Sequence, residues 1–193
     1  MIGKIKMNIA VYCGSSLGKN KTYENSCKKL IKEFSQNNFN IVYGGSQSGL
    51  MGTISNEAIK LNMEVIGVIT QDLADKEREN KNISKIFKVE NIKQRKNKME
   101  ELSDGFIALP GGFGTFDEIF EVLTLNQIGE YIKPCAFFNV NGFYDKLIEF
   151  LYNSSEEGFI EKRFVEMIII SDDEKEIVEK LQNYKGPKNK WFK

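Results

Sequence analysis

Short continuous apolar runs alternate along this chain with stretches whose apolar residues recur every three or four positions. The runs at 9–12, 40–43, 65–69, 106–109, 135–138 and 167–170 read as strands buried on both faces. Between the first two, Tyr23, Cys27, Leu30, Ile31 and Phe34 fall on one face of a helix. Further helices are expected over about 50–61, 116–128 and 143–152, the last after an Asn141-Gly142 turn. Ser171-x-x-Glu174 reads as a capping box opening a final helix. One segment breaks the rhythm. Residues 71–98 are dense in charge and poor in apolar side chains, so the first part reads as a surface loop, with a helix starting near Asn91. The tail at 185–193 reads as loose and without a role, leaving a domain of 1–184.

Buried strands alternating with helices predict an α/β fold: one Rossmann-like, doubly wound domain, a parallel sheet with helices on both faces. Ligands of such domains sit at the carboxyl ends of the strands. A length of 193 residues fits this single domain, with no internal repeat or low-complexity segment. Lys+Arg and Asp+Glu are equal at 27, so no global basic field points to nucleic acid or to an anionic membrane surface. No apolar run approaches the ~20 residues of a membrane span, and the start, Met1-Ile-Gly-Lys-Ile-Lys, shows no signal-peptide core. Cys13, Cys27 and Cys135 lack C-x-x-C spacing, which fits a reducing cytosol and no structural zinc.

Histidine is absent, and that excludes more than any residue proves. Ser-His-Asp and Cys-His nucleophile systems and His-ligated metals are ruled out. Acid–base work falls to carboxylates, Tyr, Lys or Cys. The expectation is metal-free carboxylate chemistry without a cofactor.

Three glycine- or serine-rich turns follow three of the strands: Cys13-Gly-Ser-Ser16, Gly44-Gly-Ser-Gln-Ser-Gly49 and Pro110-Gly-Gly-Phe-Gly-Thr115. Each alone is ordinary strand-to-helix punctuation. Together, at one edge of a parallel sheet, they form a rim of small residues and N–H groups suited to a phosphoribosyl unit. The third is no Walker loop, since no Gly-Lys-Ser/Thr follows, and no dinucleotide fingerprint, since Gly112-x-Gly114 lacks the third glycine. Asp117 and Glu118 then enter the first helical turn, an acid beside a phosphate cradle. Glu118 has two readings. Thr115-x-x-Glu118 is itself a capping box, with Thr115 as N-cap. The same carboxylate can instead face a sugar and stabilise an oxocarbenium-like transition state. Glu121, one turn on, either assists or is solvated, and Arg95-Lys96 reads on its own as a solvated helix face. Cys13 at its strand end reads as a small buried hydrophobe.

These residues resemble a known family, the Lonely Guy (LOG) family of cytokinin riboside 5′-monophosphate phosphoribohydrolases, often mislabelled possible lysine decarboxylases. The resemblance covers nearly all of 9–184. It rests on Tyr12-Cys-Gly-Ser-Ser16, Val42-Tyr-Gly-Gly45 with Gly49-Leu-Met-Gly52, Gln94-Arg-Lys96 with Met99, and P-G-G-x-G-T-x-x-E from Pro110 to Glu118. Gln127-x-Gly129, Lys133-Pro134, Asn141-Gly-Phe-Tyr144 and Glu157-Gly-Phe-Ile160 add to it.

The resemblance implies that Arg95 and Glu118 are the catalytic pair and that Gly112, Phe113, Gly114 and Thr115 form the phosphate loop. It places Lys96, Glu77 and Thr124 against the nucleotide. Ser15, Gly45, Met99 and Gly111 belong to matched motifs and join them as binding candidates, with Asp117 and Glu121 as assisting ones. A homodimer or larger assembly is implied, with the active site near the subunit interface. The chain departs from the family pattern at Ser46-Gln47-Ser48, at Ile92-Lys93 where Met-His is usual, at Phe113 for Tyr and at Leu125 for Trp. These positions bear on the preferred base. The expected activity is N-glycosidic hydrolysis of a nucleoside 5′-monophosphate such as AMP or an N6-substituted AMP. A broad purine or pyrimidine monophosphate nucleosidase and a non-catalytic nucleotide sensor are the alternatives. Lysine decarboxylation is disfavoured, because nothing in the sequence suggests a pyridoxal-phosphate lysine.

Overall fold

The computed structural model describes residues 6–191; residues 1–5, which begin the expected domain, and 192–193, which end its tail, lie outside them. A seven-stranded sheet runs through the centre: β1 (Met7–Tyr12), β2 (Phe39–Tyr43), β3 (Val65–Thr70), β4 (Lys85–Val89), β5 (Gly105–Ala108), β6 (Cys135–Phe138) and β7 (Ile169–Ser171). Its order is β4-β3-β2-β1-β5-β6-β7, and every neighbouring pair is parallel. The chain winds outward from β1 in one direction through β4, then returns to β1's other side with β5. That reversal opens a crevice between the loops after β1 and β5, where such sheets bind ligands.

Helices cover both faces: α1 (Lys21–Gln36), α2 (Gly49–Lys60), α3 (Gln71–Glu77), α4 (Ile92–Glu101), α5 (Phe113–Ile128), α6 (Asp145–Glu156), α7 (Lys162–Glu166) and α8 (Glu174–Gln182). Alternation along β1 divides the interior. Ile9 and Val11 pack with Leu30, Phe34, Ile54 and Ile177 from α1, α2 and α8. Ala10 and Tyr12 pack with Met99, Ile119, Val122 and Leu151 from α4, α5 and α6. The expected doubly wound parallel domain is the observed one.

Several local expectations are corrected. Residues 71–98 are not an open loop: Thr70 caps α3 by accepting from Leu73 N, and β4 pairs with β3 from Ile66↔Lys85 to Thr70↔Val89. β4 escaped notice because it lies at the sheet edge, where Lys85 and Lys88 are exposed and its apolar residues only half-buried. A charged edge strand lacks the apolar run of a buried one. The short α7, unseen in the sequence, is too brief for helical periodicity to register. A 3₁₀ turn at Val140–Gly142 delays α6 to Asp145. The final helix is capped by Asp173, whose Oδ1 accepts from Lys175 N and Glu176 N at 2.8 and 2.9 Å. Ser171 instead ends β7 and donates its hydroxyl to the Glu176 carboxylate. In the tail, Lys190 N and Trp191 Nε1 donate to the carbonyls of Gln127 and Ile128 at the end of α5.

Candidate active site

The site begins where β5 runs out. Leu109-Pro110-Gly111 crosses to Gly112, which caps α5 in an extended conformation without a side chain, and Phe116 N donates to Gly112 O at 3.0 Å. Since α5 starts at Phe113, Thr115 lies inside the first turn and makes no N-cap bond; the Thr115-x-x-Glu118 capping box does not form. Glycine at the N-cap is conformationally acceptable but leaves the first N–H groups of the helix for another acceptor. A Cβ on Gly112 or Gly114 would meet nothing within 4 Å, so both face open space. Gly111 is different: a Cβ there would overlap Thr115 Oγ1, and Gly14 N donates to Pro110 O at 3.1 Å, so the β1 and β5 loops are stitched together.

Across the crevice stands Arg95, on the first turn of α4, whose N-cap Asn91 accepts from Gln94 N at 2.9 Å. Its side chain is only 11% exposed, not a solvated helix face. Nε donates to Val68 O of β3 at 2.9 Å, and Nη1 donates to Glu118 Oε1 at 3.0 Å. Nη2 lies over Gly44, just past β2, where any Cβ would overlap it. Glu118 projects from the second turn of α5 with 9% of its side chain exposed. Burial lifts its carboxyl to about 7; Arg95 opposes the shift, Asp117 adds to it, Lys96 opposes and Glu121 adds. Desolvation therefore outweighs the ion pair, and the group is poised to gain or lose a proton near neutrality.

These groups line a cleft of about 320 Å³. Of the residues expected from sequence, Ser15, Arg95, Gly112, Phe113, Gly114, Thr115, Asp117 and Glu118 meet there. Gly111 lines an adjoining cavity behind the same loop. Gly45, with φ +74°, shapes the β2 turn and accepts from Asn80 N. Lys96 and Glu121 pair with each other at 2.6 Å away from the cleft lining. Met99 is wholly buried in the core, and Thr124 opens instead onto an apolar groove with Phe120, Leu151 and Phe164. Glu77 closes α3, and its side chain is outside the described set.

Sequence reasoning missed Val11, Met51 and Leu73 as lining residues, and reached Gly44 and Ile92 only through the turn and the departure that contain them. Gly44 lay in a turn already singled out, and its contact with Arg95 was the unreadable part. Leu73 belongs to the segment read as a loop, and Ile92 to a helix read as solvated. With Phe113, which is 93% exposed, they give the cleft apolar walls opposite its charged pair. The assembly can hold an anion on a helix start, keep a carboxylate beside it, and receive a flat apolar group.

The chain is similar to known proteins. The family described as "Possible lysine decarboxylase" matches residues 51–181. The chain is 40% identical over 176 residues to the probable cytokinin riboside 5′-monophosphate phosphoribohydrolase LOGL2 of Oryza sativa subsp. japonica, covering 91% of this chain and 72% of that one. Cytokinin riboside 5′-monophosphate phosphoribohydrolase LOG3 of Arabidopsis thaliana is also 40% identical, with 91% and 82% covered. Among solved structures, the molybdenum cofactor carrier protein of Chlamydomonas reinhardtii superposes with a TM-score of 0.71 at 16% identity, covering 93% of this chain and 98% of that one, a likeness of fold alone. The chain belongs to the Lonely Guy family of cytokinin riboside 5′-monophosphate phosphoribohydrolases.

Proposed function

We propose that the protein hydrolyses the N-glycosidic bond of a nucleoside 5′-monophosphate, such as AMP or an N6-substituted AMP. Water adds across the bond: its oxygen goes to the anomeric carbon, giving ribose 5-phosphate, and a proton goes to the departing base. The observation that carries the reading is the buried Arg95–Glu118 pair, 3.0 Å apart, inside a cleft that includes a helix start without a side-chain cap.

The 5′-phosphate is taken by N–H groups in the first turn of α5, where each charge-assisted bond adds to the pull of the helix end. Glu118, as a carboxylate, faces the positive charge that develops at the anomeric carbon and orients the water. Arg95 holds Glu118 in place through a fork already fixed by Val68 O. Leu73, Ile92 and Phe113 supply apolar contact for a base. A second copy of the chain covers the groove around Thr124, a reading supported by its apolar lining of Phe120, Leu123, Leu151 and Phe164 and by the exposed Phe150 of α6 and Phe159 just after it. Three buried, unpaired thiols support a reducing, cytoplasmic setting.

A panel of nucleoside 5′-monophosphates with their parent nucleosides, resolved by chromatography of the released bases, tests the reading. AMP or an N6-substituted AMP should be cleaved far faster than the matching nucleoside. Equal kcat/KM for both would remove the phosphate cradle, and equal turnover across all bases would favour a broad nucleosidase.

A further inference from the structure

Behind Gly44 the molecule buries polar side chains that the proposed chemistry leaves unused. Asn80, in the connection from α3 to β4, and Ser55, on α2, are both wholly buried. Asn80 Nδ2 donates to Ser55 Oγ at 3.0 Å, and its Oδ1 accepts from Asn82 N at 3.1 Å and from Gln47 Nε2 at 3.3 Å. Its main-chain N–H donates to Gly45 O at 2.9 Å. The same connection grips the β2 turn along the backbone. Gln47 N donates to Arg78 O at 2.9 Å, and Ser46 and Glu79 form an antiparallel bridge. Glu79 is tied in turn to β4 by an ion pair with Lys88 at 2.8 Å. Arg78 takes φ +60°, a left-handed backbone that a residue with a side chain keeps only where its surroundings hold it.

The turn held this way is the seat of Arg95. Nη2 lies over Gly44, and Gly45 rests on β3: a Cβ on Gly67 would come within 3.0 Å of Gly45 Cα, and one on Gly45 within 3.1 Å of Ile69 Cβ. Gly67 and Ile69 flank Val68, whose carbonyl takes the Nε–H of Arg95. Both surfaces that fix the guanidinium therefore belong to one unit, and Asn80 closes it. Val42 of β2 and Leu50, Ile54 and Ala58 of α2 are buried in the core, so these elements have their own anchorage and the clamp acts on the turn between them. Ser46 and Gln47 are also where the chain departs from the family pattern.

We propose that Asn80 is a positioning residue: by clamping the β2 turn to the α3–β4 connection, it fixes the seat that aims the Arg95 guanidinium at Glu118. Its amide is spent on the clamp and does not line the cleft. The role rests on the reading of Arg95 and Glu118 as the working pair.

The experiment follows the Arg95 Nε–H by ¹⁵N NMR, its signal assigned by loss in Arg95→Lys, together with kcat for AMP, AMP affinity and the melting temperature. In Asn80→Ala, assayed well below its melting temperature, the Nε–H should exchange with water at least about tenfold faster and kcat should fall about tenfold, since small misplacements of a catalytic group are costly. AMP affinity should stay within about threefold, because the helix start at Gly112 is untouched. Gln47→Ala combined with Ser55→Ala keeps Asn80 but removes two of its partners, and should move both readouts the same way by about threefold or more. It also decides the matter if Asn80→Ala does not fold. Asp173→Ala, a cap change far from the seat, should lower the melting temperature and leave the Nε–H and kcat as they are. An Asn80→Ala protein with an unmoved Nε–H and a kcat within twofold of wild type would make Asn80 a stability residue and overturn the proposal. Unmoved readouts in the double variant would also overturn it. Full activity in Arg95→Ala would instead sink the working pair, while Nε–H exchange in Asn80→Ala would still decide whether the clamp seats the guanidinium.

Discussion

Two helix starts in this molecule are built in opposite ways. At α8, Asp173 folds back and its Oδ1 takes the N–H groups of Lys175 and Glu176. At α5 the cap is Gly112, with no side chain to fold back and no atom where its Cβ would project. A side-chain cap closes a helix start and stabilises the fold by about 1 kcal/mol. A glycine cap forgoes that, and the positive end of the helix is left open. Under the proposed function, the difference separates a helix start that serves stability from one that serves binding, although both carry acidic residues in the turns nearby.

The largest expected effect tests what the open end is for. Glu118→Gln keeps the shape beside the open helix start and removes its charge, so kcat should fall at least ~100-fold, roughly 2.7 kcal/mol in barrier, with AMP binding retained. Arg95→Ala should cost a similar factor, and the double variant much less than the product if the pair acts as a unit. A kcat within a few-fold of wild type would mean that Glu118 serves only structure.

Transplanting the closed cap comes next. Gly112→Asp gives α5 the carboxylate that α8 has, placing negative charge where the phosphate should sit. AMP affinity should drop by about 10- to 100-fold by calorimetry, with the melting temperature held or raised. Unchanged affinity would move the phosphate elsewhere.

The pH dependence has a defined sign. Because Glu118 titrates near 7 when folded, against 4.5 ordinarily, kcat/KM should fall below about pH 7. A raised carboxyl holds its proton longer in the folded state, so its contribution to stability declines as pH rises from 4.5 to 7. The melting temperature of Glu118→Gln relative to wild type should therefore climb between pH 5 and pH 8. A difference that stays flat would place the carboxyl's midpoint near its ordinary value.

The reverse operation at α8 should be silent in activity. Asp173→Ala is expected to lower the melting temperature by roughly 2–4 °C, the equivalent of about 1 kcal/mol, with kcat/KM unchanged. Smallest of all should be the effect of EDTA: a chain without histidine is expected to turn over as before, and loss of activity restored by a divalent ion would overturn metal-free chemistry.

Both helix starts also show what a sequence can and cannot disclose. Thr115-x-x-Glu118 and Ser171-x-x-Glu174 each match the capping-box pattern, and neither forms one. The true caps lie three residues earlier and two residues later, because the cap position depends on where the preceding strand stops. The buried strands were legible, since 9–12 and 135–138 can hardly pack except between two helical layers, whereas the charged edge strand β4 was not. The glycine-rich turn after β5 was legible too, from Gly111, Gly112 and Gly114 in one short run, although only Gly111 is required by the packing, against Thr115. The Arg95–Glu118 contact spans 23 positions in sequence, and no periodicity encodes it; only the family pattern pointed to it. The same holds for Lys96, whose partners on α5 could not be read from α4.

Counted as donors rather than as charge, Arg95 carries five N–H bonds in one rigid plane. A strand carbonyl holds the Nε–H and a carboxylate takes one from Nη1, so the plane is set by the sheet and by α5 before any ligand arrives. The N–H bonds left over then point in directions the protein has already chosen. A lysine at this position would bring the same charge with no plane to fix, and could not satisfy a main-chain carbonyl and a carboxylate while presenting an aimed edge. Gly44 completes the seat by having no side chain, so one missing methyl group decides where the guanidinium can lie.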